Sequence, residues 1–196
     1  MTEALPELTS DLLVTCAITG IALAAVWLPL YRGMRLCLQA RAATRKLAAP
    51  ELQRRARQSP PGPGDPLALV MLRTLLQSIR ESTSHPREFI LDASKQYVVN
   101  EYDMHFARPI SMYANILPPI GFIGTTGGLL ILFLSMHMTD TSLELGALAV
   151  ALLSSIFALV GFSTLEGWKI RLYGRLLRSL DEVSSIPLRS ATPADD

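Results

Sequence analysis

The chain has 196 residues, of which 49% are hydrophobic and 18% are charged, and its formal net charge is +1. Its two cysteines, Cys16 and Cys37, lack metal-type spacing, which excludes a zinc-type site, so we expect them to be small buried hydrophobic residues. Because a soluble domain can also be half apolar, the arrangement of the apolar residues has to decide the class of protein.

Three stretches contain no Asp, Glu, Lys or Arg. They cover residues 12–31, 109–139 and 145–165, with lengths of 20, 31 and 21 residues. About 20 apolar residues in a helix cross the hydrocarbon core of a bilayer, and backbone groups in lipid must be hydrogen-bonded within the segment. We therefore expect an all-α polytopic membrane protein with three transmembrane helices and long cytoplasmic helical extensions.

The first stretch, residues 12–31, is predicted to be transmembrane helix 1, after a periplasmic N-terminus over residues 1–11. A signal peptide is the alternative, but such a peptide begins with a basic region, and the residues before this stretch include three acids and no base. The stretch also ends in Trp27 and Tyr31, which are typical of a membrane interface. These features favour a retained membrane helix.

Residues 32–108 are predicted to form a large cytoplasmic loop. Residues 32–58 are expected to form a basic helix that continues from the first span. Four prolines and two glycines within residues 59–66 predict a linker, because this composition does not support a helix. Pro66 is then suited to the start of a new helix, and a further helix is expected from about Arg87.

The second uncharged stretch is longer than one span needs. We expect a long helix over residues 109–139 that includes transmembrane helix 2 and bends at its prolines. The remaining predicted segments are a periplasmic turn at 140–144, transmembrane helix 3 at 145–166, a cytoplasmic helix at 167–186 and a disordered tail at 187–196.

The basic residues predict the orientation in the membrane. Thirteen of the 18 Lys and Arg lie within residues 32–108 and five within 169–189, while the N-terminal segment and residues 139–144 contain none. Cytoplasmic loops collect Lys and Arg near helix ends, so we expect a multi-pass inner-membrane protein with a periplasmic N-terminus and a cytoplasmic C-terminus. Bases beside membrane helices set topology, and we therefore expect no nucleic acid partner.

The sequence contains no recognisable catalytic constellation. It lacks a nucleophile elbow, a P-loop, a dinucleotide fingerprint and a metal-binding cluster, so we expect neither an enzyme nor a bound cofactor. The three uncharged stretches also contain no carboxylate, although ion translocation typically needs a charged or titratable group at membrane depth. If the protein conducts protons, the acid must come from another chain.

Glycines and hydroxyl-bearing residues are concentrated in the second and third stretches. Candidates for the ion pathway are Thr125, Thr126, Ser154 and Ser155, and candidates for helix packing or a lumen are Gly121, Gly124 and Gly128. Ser155 and Glu166 fall on nearly one line of a helix, which makes Glu166 a candidate cytoplasmic exit. Helix packing alone also explains these residues, because glycines allow close approach and hydroxyls bond to nearby carbonyls.

Two segments carry a resemblance to a known family. Residues 117–128, Leu-Pro-Pro-Ile-Gly-Phe-Ile-Gly-Thr-Thr-Gly-Gly, resemble the A-P-x-x-G-L-x-G-T-V-x-G segment of the MotA/TolQ/ExbB proton-channel family. Residues 151–161, Ala-Leu-Leu-Ser-Ser-Ile-Phe-Ala-Leu-Val-Gly, are similar to its A-L-x-x-T-x-x-G-L segment. Three spans, an outside N-terminus and one large cytoplasmic loop resemble the ExbB/TolQ branch.

The resemblance implies a channel-forming subunit of an ion-driven inner-membrane motor, which uses H⁺ or Na⁺ to energise envelope processes or transport. Such proteins form pentamers around two transmembrane helices of an ExbD/TolR-like single-span partner, each of which carries an Asp. The resemblance places Thr125 and Ser155 at the two threonine positions of the family. It places Gly121, Gly124 and Gly128 at the glycines that line the lumen.

Four positions depart from the family pattern, and the first is Thr126, which replaces the valine after the motif threonine. In addition, Ser155 replaces a threonine, Val150 stands where an ExbB-like protein has a glutamate, and Thr164 stands where it has a proline. These changes indicate a divergent system and leave the ion identity open. The alternative hypothesis is a non-conducting three-span scaffold or interaction protein in the lipid bilayer.

Overall fold

The computed structural model describes residues 4–58, 62, 64–81, 86–135 and 141–185. Within these residues the regular structure is entirely helical. The helices are α1 (Ala4–Ala43), α2 (Ala49–Gln58), α3 (Leu67–Glu81), α4 (Arg87–Tyr102), α5 (Arg108–Ser135) and α6 (Thr141–Ser184), and a π-helical segment (Asp103–Ala107) lies between α4 and α5. The predicted tail, residues 187–196, lies outside the described residues.

Two helices in the described residues are long and apolar enough to cross a membrane, and they cover Arg87–Leu134 and Gly146–Ser184. Only 17% and 33% of their most apolar windows are buried within the chain, whereas the core helix of a soluble protein is mostly buried. The predicted first span, residues 12–31, lies inside α1, and the side chains of residues 12–19 and 22 fall outside the described part. The all-helical prediction is therefore confirmed for the described residues, together with two apolar helices of membrane-spanning length.

Helix α6 extends further than the sequence predicted. Residues 141–144 of the predicted periplasmic turn are helical, because no proline or glycine interrupts the chain before Gly146. The same helix contains the whole of predicted transmembrane helix 3, residues 145–166, and continues without a break to Ser184.

The prediction of one helix over residues 32–58 is wrong. Helix α1 ends at Ala43, where the Thr44 hydroxyl donates a hydrogen bond to the Ala40 carbonyl at 2.8 Å. Pro50 lies in the first turn of α2 and lacks the N–H that a continuous helix would use at this point. The chain consequently starts a new helix after the break.

The π-helical segment Asp103–Ala107 was not predicted from the sequence. Pro109 follows it in the first turn of α5, and a proline ring collides with the carbonyl four residues earlier, here that of His105. A wider turn before the proline relieves this collision, so the helical backbone continues from α4 into α5. Pro118 and Pro119, which were expected to bend the second helix, lie inside α5, and the backbone stays helical through both.

The chain divides into two compact units, each built from two segments. The first unit contains Met1–Cys37 and Arg108–Lys169, and the second contains Leu38–Ala107 and Ile170–Asp196. The candidate residues named above all fall in the first unit.

In the first unit α1, α5 and α6 meet at two glycines. A Cβ added to Gly161 of α6 would lie 3.1 Å from Leu117 of α5 and 3.3 Å from Leu30 of α1. A Cβ on Gly33 of α1 would lie 2.7 Å from Leu165 of α6. At both positions a leucine side chain from a neighbouring helix lies close to the glycine, and an added Cβ would require that leucine to shift.

The second unit has a conventional apolar core. Its members are Leu52, Leu67, Leu69, Met71, Leu72, Leu75, Ile90, Val98, Tyr102, Leu172, Leu176, Leu180 and Val183. Helices α4 and α6 run antiparallel in this unit, since the rings of Tyr102 and Tyr173 are 6.2 Å apart and Lys95 pairs with Asp181 at 2.6 Å.

Asp65 fixes the start of α3 at the end of the predicted linker. Its carboxylate accepts a hydrogen bond from the Gly62 N–H at 3.0 Å and forms an ion pair with Arg73 of α3. The Gly62 N–H is the main cause that lowers the pKa of Asp65, partial burial opposes it, and the Arg73 guanidinium adds to the lowering.

We expect Asp65→Asn to destabilise the second unit by about 1 kcal/mol at neutral pH, because it removes a charge-assisted contact. The folded-state pKa of Asp65 is lowered. Its contribution is therefore present above the unfolded pKa of about 3.9 and is lost as the pH falls through the folded pKa. Thermal unfolding of wild type and variant should differ at about pH 7 and converge at about pH 2. Asp92→Asn, an exposed carboxylate on α4, is the control, and a difference unchanged in acid would contradict the assignment.

Candidate functional site

Thr125 on α5 and Ser155 on α6 meet across the helix interface of the first unit. Their hydroxyls are hydrogen-bonded to each other. The Thr125 oxygen lies 3.0 Å from the Gly121 carbonyl and 3.3 Å from the Ala151 carbonyl, and the Ser155 oxygen lies 3.4 Å from both. Four oxygens from two helices thus form one cluster, and both side chains are half-buried.

The hydroxyl cluster has more acceptor sites than protons. Each hydroxyl has one proton and two lone pairs, and each carbonyl has a second lone pair beside the one used in its helix. Two protons therefore serve several acceptor positions, and the cluster can donate, accept or offer oxygen to a hard cation. Neither a serine nor a threonine hydroxyl ionises at physiological pH, so the cluster cannot itself change its net charge by taking up or releasing a proton.

Three glycines bring α5 and α6 together on either side of this cluster. A Cβ on Gly121 would lie 2.6 Å from the Ala158 Cβ, and one on Gly128 would lie 2.6 Å from the Ala151 Cβ. A Cβ on Gly124 would lie 2.6 Å from the Cβ of Ser154. The glycines face α6 directly, which is how small residues permit close helix approach.

The other two candidate hydroxyls have different environments. Ser154 is buried, and its hydroxyl donates to the Ala151 carbonyl at 3.0 Å. Thr126 is exposed, and its hydroxyl bonds to its own helix, at 3.1 Å from the Phe122 carbonyl and 3.0 Å from the Ile123 carbonyl. The structure therefore brings Ser154 to the same interface as the hydroxyl cluster and leaves Thr126 away from it.

A second polar contact lies further along the interface between α5 and α6. Moving 14 residues from Thr125 toward the start of α5 leads to Ser111, and moving 14 residues from Ser155 along α6 leads to Lys169. The Lys169 ammonium donates a hydrogen bond to the Ser111 hydroxyl at 2.8 Å. In the antiparallel register of α5 and α6, Pro118 and Phe162 lie between the two polar contacts. All six side chains of this row are half-buried, and its members are Ser111, Pro118, Thr125, Ser155, Phe162 and Lys169.

Sequence reasoning missed Ser111 and Lys169. The seven-residue spacing of Ser111, Pro118 and Thr125 was available in the sequence, as was that of Ser155, Phe162 and Lys169. Recognising the contact also needed the register between the helices, which a single helix does not reveal.

Glu166 lies close to this second contact. Its carboxylate pairs with Lys169 at 2.5 Å, and the two side chains are 23% and 24% exposed. Eleven residues separate it from Ser155, which corresponds to about 16 Å along α6 and about 20° around it. Glu166 therefore lies on the side of α6 that carries the hydroxyl cluster, and an ammonium already neutralises it.

Among the described residues no group of three or more His, Cys, Asp or Glu could hold a metal ion. Cys37 is fully buried, and burial raises the pKa of its thiol to about 11, so it stays protonated and unreactive at neutral pH.

The departures from the family pattern also have defined environments. Val150 is buried in α6, and the Thr164 hydroxyl donates to the Val160 carbonyl of its own helix at 2.7 Å.

Comparisons of the chain with models of protein families, with curated proteins and with solved structures found no match.

Proposed function

We propose that the chain is a channel-forming subunit of an ion-driven motor in a bacterial inner membrane, as its resemblance to the ExbB/TolQ branch implies. In this proposal it spans the bilayer three times, with α1, α5 and α6 as the membrane helices. The observation that carries it is the half-buried hydroxyl pair of Thr125 and Ser155, placed between two long apolar helices.

The hydroxyl pair needs a titratable partner. The uncharged stretches at residues 109–139 and 145–165 contain no carboxylate, and Val150 occupies the position of the glutamate in ExbB-like proteins. Hydroxyls can relay a proton or coordinate Na⁺ but cannot carry the charge change on which a motor depends. The proposed partner is a single-span protein with a membrane Asp, present in two copies inside a ring of this chain.

The outer surface of α5 and α6 fits a ring embedded in lipid. Phe122, Ile123 and Leu130 of α5 are more than 60% exposed, and Leu159 of α6 is 56% exposed. A soluble monomer rarely exposes contiguous apolar surface on this scale. Lipid and neighbouring copies of the chain would cover these side chains.

Purification of the full-length chain from its native membrane tests the assembly. We expect a ring of identical subunits that encloses two copies of a single-span protein with an Asp in its span. The resemblance implies five subunits in the ring. Native mass spectrometry of the detergent-extracted complex gives the stoichiometry. A monomer, or a ring whose axis is filled only by its own apolar side chains, would contradict the motor.

A non-conducting scaffold is the second candidate. The observation in its favour is that each interface hydroxyl already has an acceptor within the α5–α6 contact, as packing alone requires. In that case ion flux across reconstituted membranes stays at the level of empty vesicles. The motor requires flux that depends on the partner.

A further inference from the structure

The row of half-buried positions on α5 and α6 has a polar contact at each end and an apolar step between them. Thr125 and Ser155 form one end, and Ser111 and Lys169 form the other. The two ends are 14 residues apart along each helix, or about 21 Å. An ion that moved along this row would meet polar groups at its two ends and apolar side chains between them.

We propose that Glu166, Lys169 and Ser111 form the cytoplasmic exit gate of the ion path, with the Lys169 ammonium as the moving part. This inference rests on the proposed channel function. The sequence alone indicated Glu166 as an exit, and the geometry adds the two groups that control it. Both the α5 and the α6 helix contribute to this gate.

In the described state the gate is closed to cations. The Lys169 nitrogen lies 2.7 Å from one Glu166 carboxylate oxygen and 2.5 Å from the other. The ammonium therefore satisfies the charge of the carboxylate and occupies the space beside both oxygens. A second cation approaching Glu166 is repelled by the Lys169 ammonium, and this repulsion falls when Lys169 withdraws.

The Ser111 hydroxyl is the acceptor that the Lys169 ammonium keeps when it moves away from Glu166. This hydroxyl already accepts a hydrogen bond from the ammonium at 2.8 Å. Lys169 can thus release the carboxylate and keep one protein acceptor, which lowers the cost of leaving an ammonium without its counter-ion. The Ser111 contact makes opening reversible because it holds the ammonium next to Glu166.

The transfer step is balanced for either ion. An arriving proton joins a Glu166 carboxylate oxygen to give the neutral acid, Lys169 keeps its charge and its bond to Ser111, and loss of the proton to the cytoplasm restores the ion pair. An arriving Na⁺ binds the carboxylate oxygens without any proton transfer and leaves in the same direction. No other co-reactant is needed.

A gate and a structural ion pair predict different outcomes when each partner is removed. Lys169→Met leaves an unpaired carboxylate that attracts cations, so flux should rise about tenfold. Glu166→Gln leaves an unpaired ammonium that repels them, so flux should fall about tenfold. The double variant removes both charges and should return to within about threefold of wild type. A purely structural pair would make both single variants change flux in the same direction.

The experiment uses the complex of the full-length chain and its co-purified partner, in vesicles of phosphatidylethanolamine and phosphatidylglycerol. An imposed membrane potential drives flux, and internal pH-sensitive and Na⁺-sensitive dyes report H⁺ and Na⁺ in separate arms. Lys169→Arg keeps the positive charge, so its flux should rise less than that of Lys169→Met. Lys95→Met breaks an ion pair of the second unit, Lys95 with Asp181, and is the matched control.

Each outcome decides a different claim. A rise in flux for Lys169→Met and a fall for Glu166→Gln, with Lys95→Met unchanged and assembly intact by size-exclusion chromatography, support the gate. Wild-type flux in both variants, or shifts of the same sign, overturn the gate while the channel stands. Absence of flux in the wild-type complex overturns the proposed function and the gate with it.

Discussion

Thr125→Val should abolish ion-driven activity while the oligomer still assembles. Valine has nearly the shape of threonine, so the α5 surface against α6 keeps its fit. What is lost is the hydroxyl that contacts Ser155 and lies within hydrogen-bond distance of the Gly121 and Ala151 carbonyls. Those carbonyls keep their helical partners, so the expected loss of stability is only about 1 kcal/mol.

The effect on flux should be far larger than the effect on stability. A methyl group in the middle of the four-oxygen cluster replaces an oxygen that can relay a proton or coordinate Na⁺, and it would present an apolar surface to the proposed partner acid. We expect at least a hundredfold loss of flux, on the order of 3 kcal/mol in the barrier. Vesicle flux measures the loss, and size-exclusion chromatography checks assembly.

Thr164→Val is the matched control for this substitution. It makes the same chemical change on α6, at a hydroxyl that bonds to the Val160 carbonyl of its own helix and lies outside the cluster. It should leave flux unchanged. Wild-type flux in Thr125→Val would remove Thr125 from the mechanism and favour the packing interpretation.

Features that are local to one helix could be predicted from the sequence. The uncharged stretches predicted apolar helices, and the glycines and hydroxyls of residues 117–128 and 151–161 indicated the region where helices would come close. These signals are periodic along a single chain segment, which is why pattern reasoning finds them.

Features that depend on contacts between helices could not be predicted. The pairing of Ser111 with Lys169 requires the register of α5 against α6, and that register is set where Gly121 meets Ala158 and Gly128 meets Ala151. Either helix alone is compatible with several registers. The π-helical segment before Pro109 depends on how the chain relieves one steric collision, and several local solutions exist for it.

Gly128→Ala should separate α5 from α6. A Cβ at this position would lie 2.6 Å from the Ala151 Cβ, 2.8 Å from the Ala147 carbonyl oxygen and 2.9 Å from the Ala151 Cα. Two of these three atoms are backbone and cannot move aside by a change of rotamer. The helices must shift apart, and overpacking of this kind costs about 1–3 kcal/mol.

Gly127→Ala makes the same change one residue earlier, where nothing lies within 4 Å of an added Cβ in the chain. It should leave stability unchanged or raise it by up to about 1 kcal/mol through helix propensity. Thermal unfolding in detergent compares the two variants. Equal stability of both would show that the glycine contact with α6 does not hold the helices together.

Gly128→Ala also connects packing to the proposed function. Gly128 lies three residues from Thr125, so a shift of α5 away from α6 there should pull Thr125 away from Ser155 and open the cluster. This variant should lose stability and flux together, whereas Thr125→Val should lose flux with little change in stability. Normal flux in a destabilised Gly128→Ala variant would mean that the geometry of the cluster is not needed for conduction. That result would leave the hydroxyls with a packing role only.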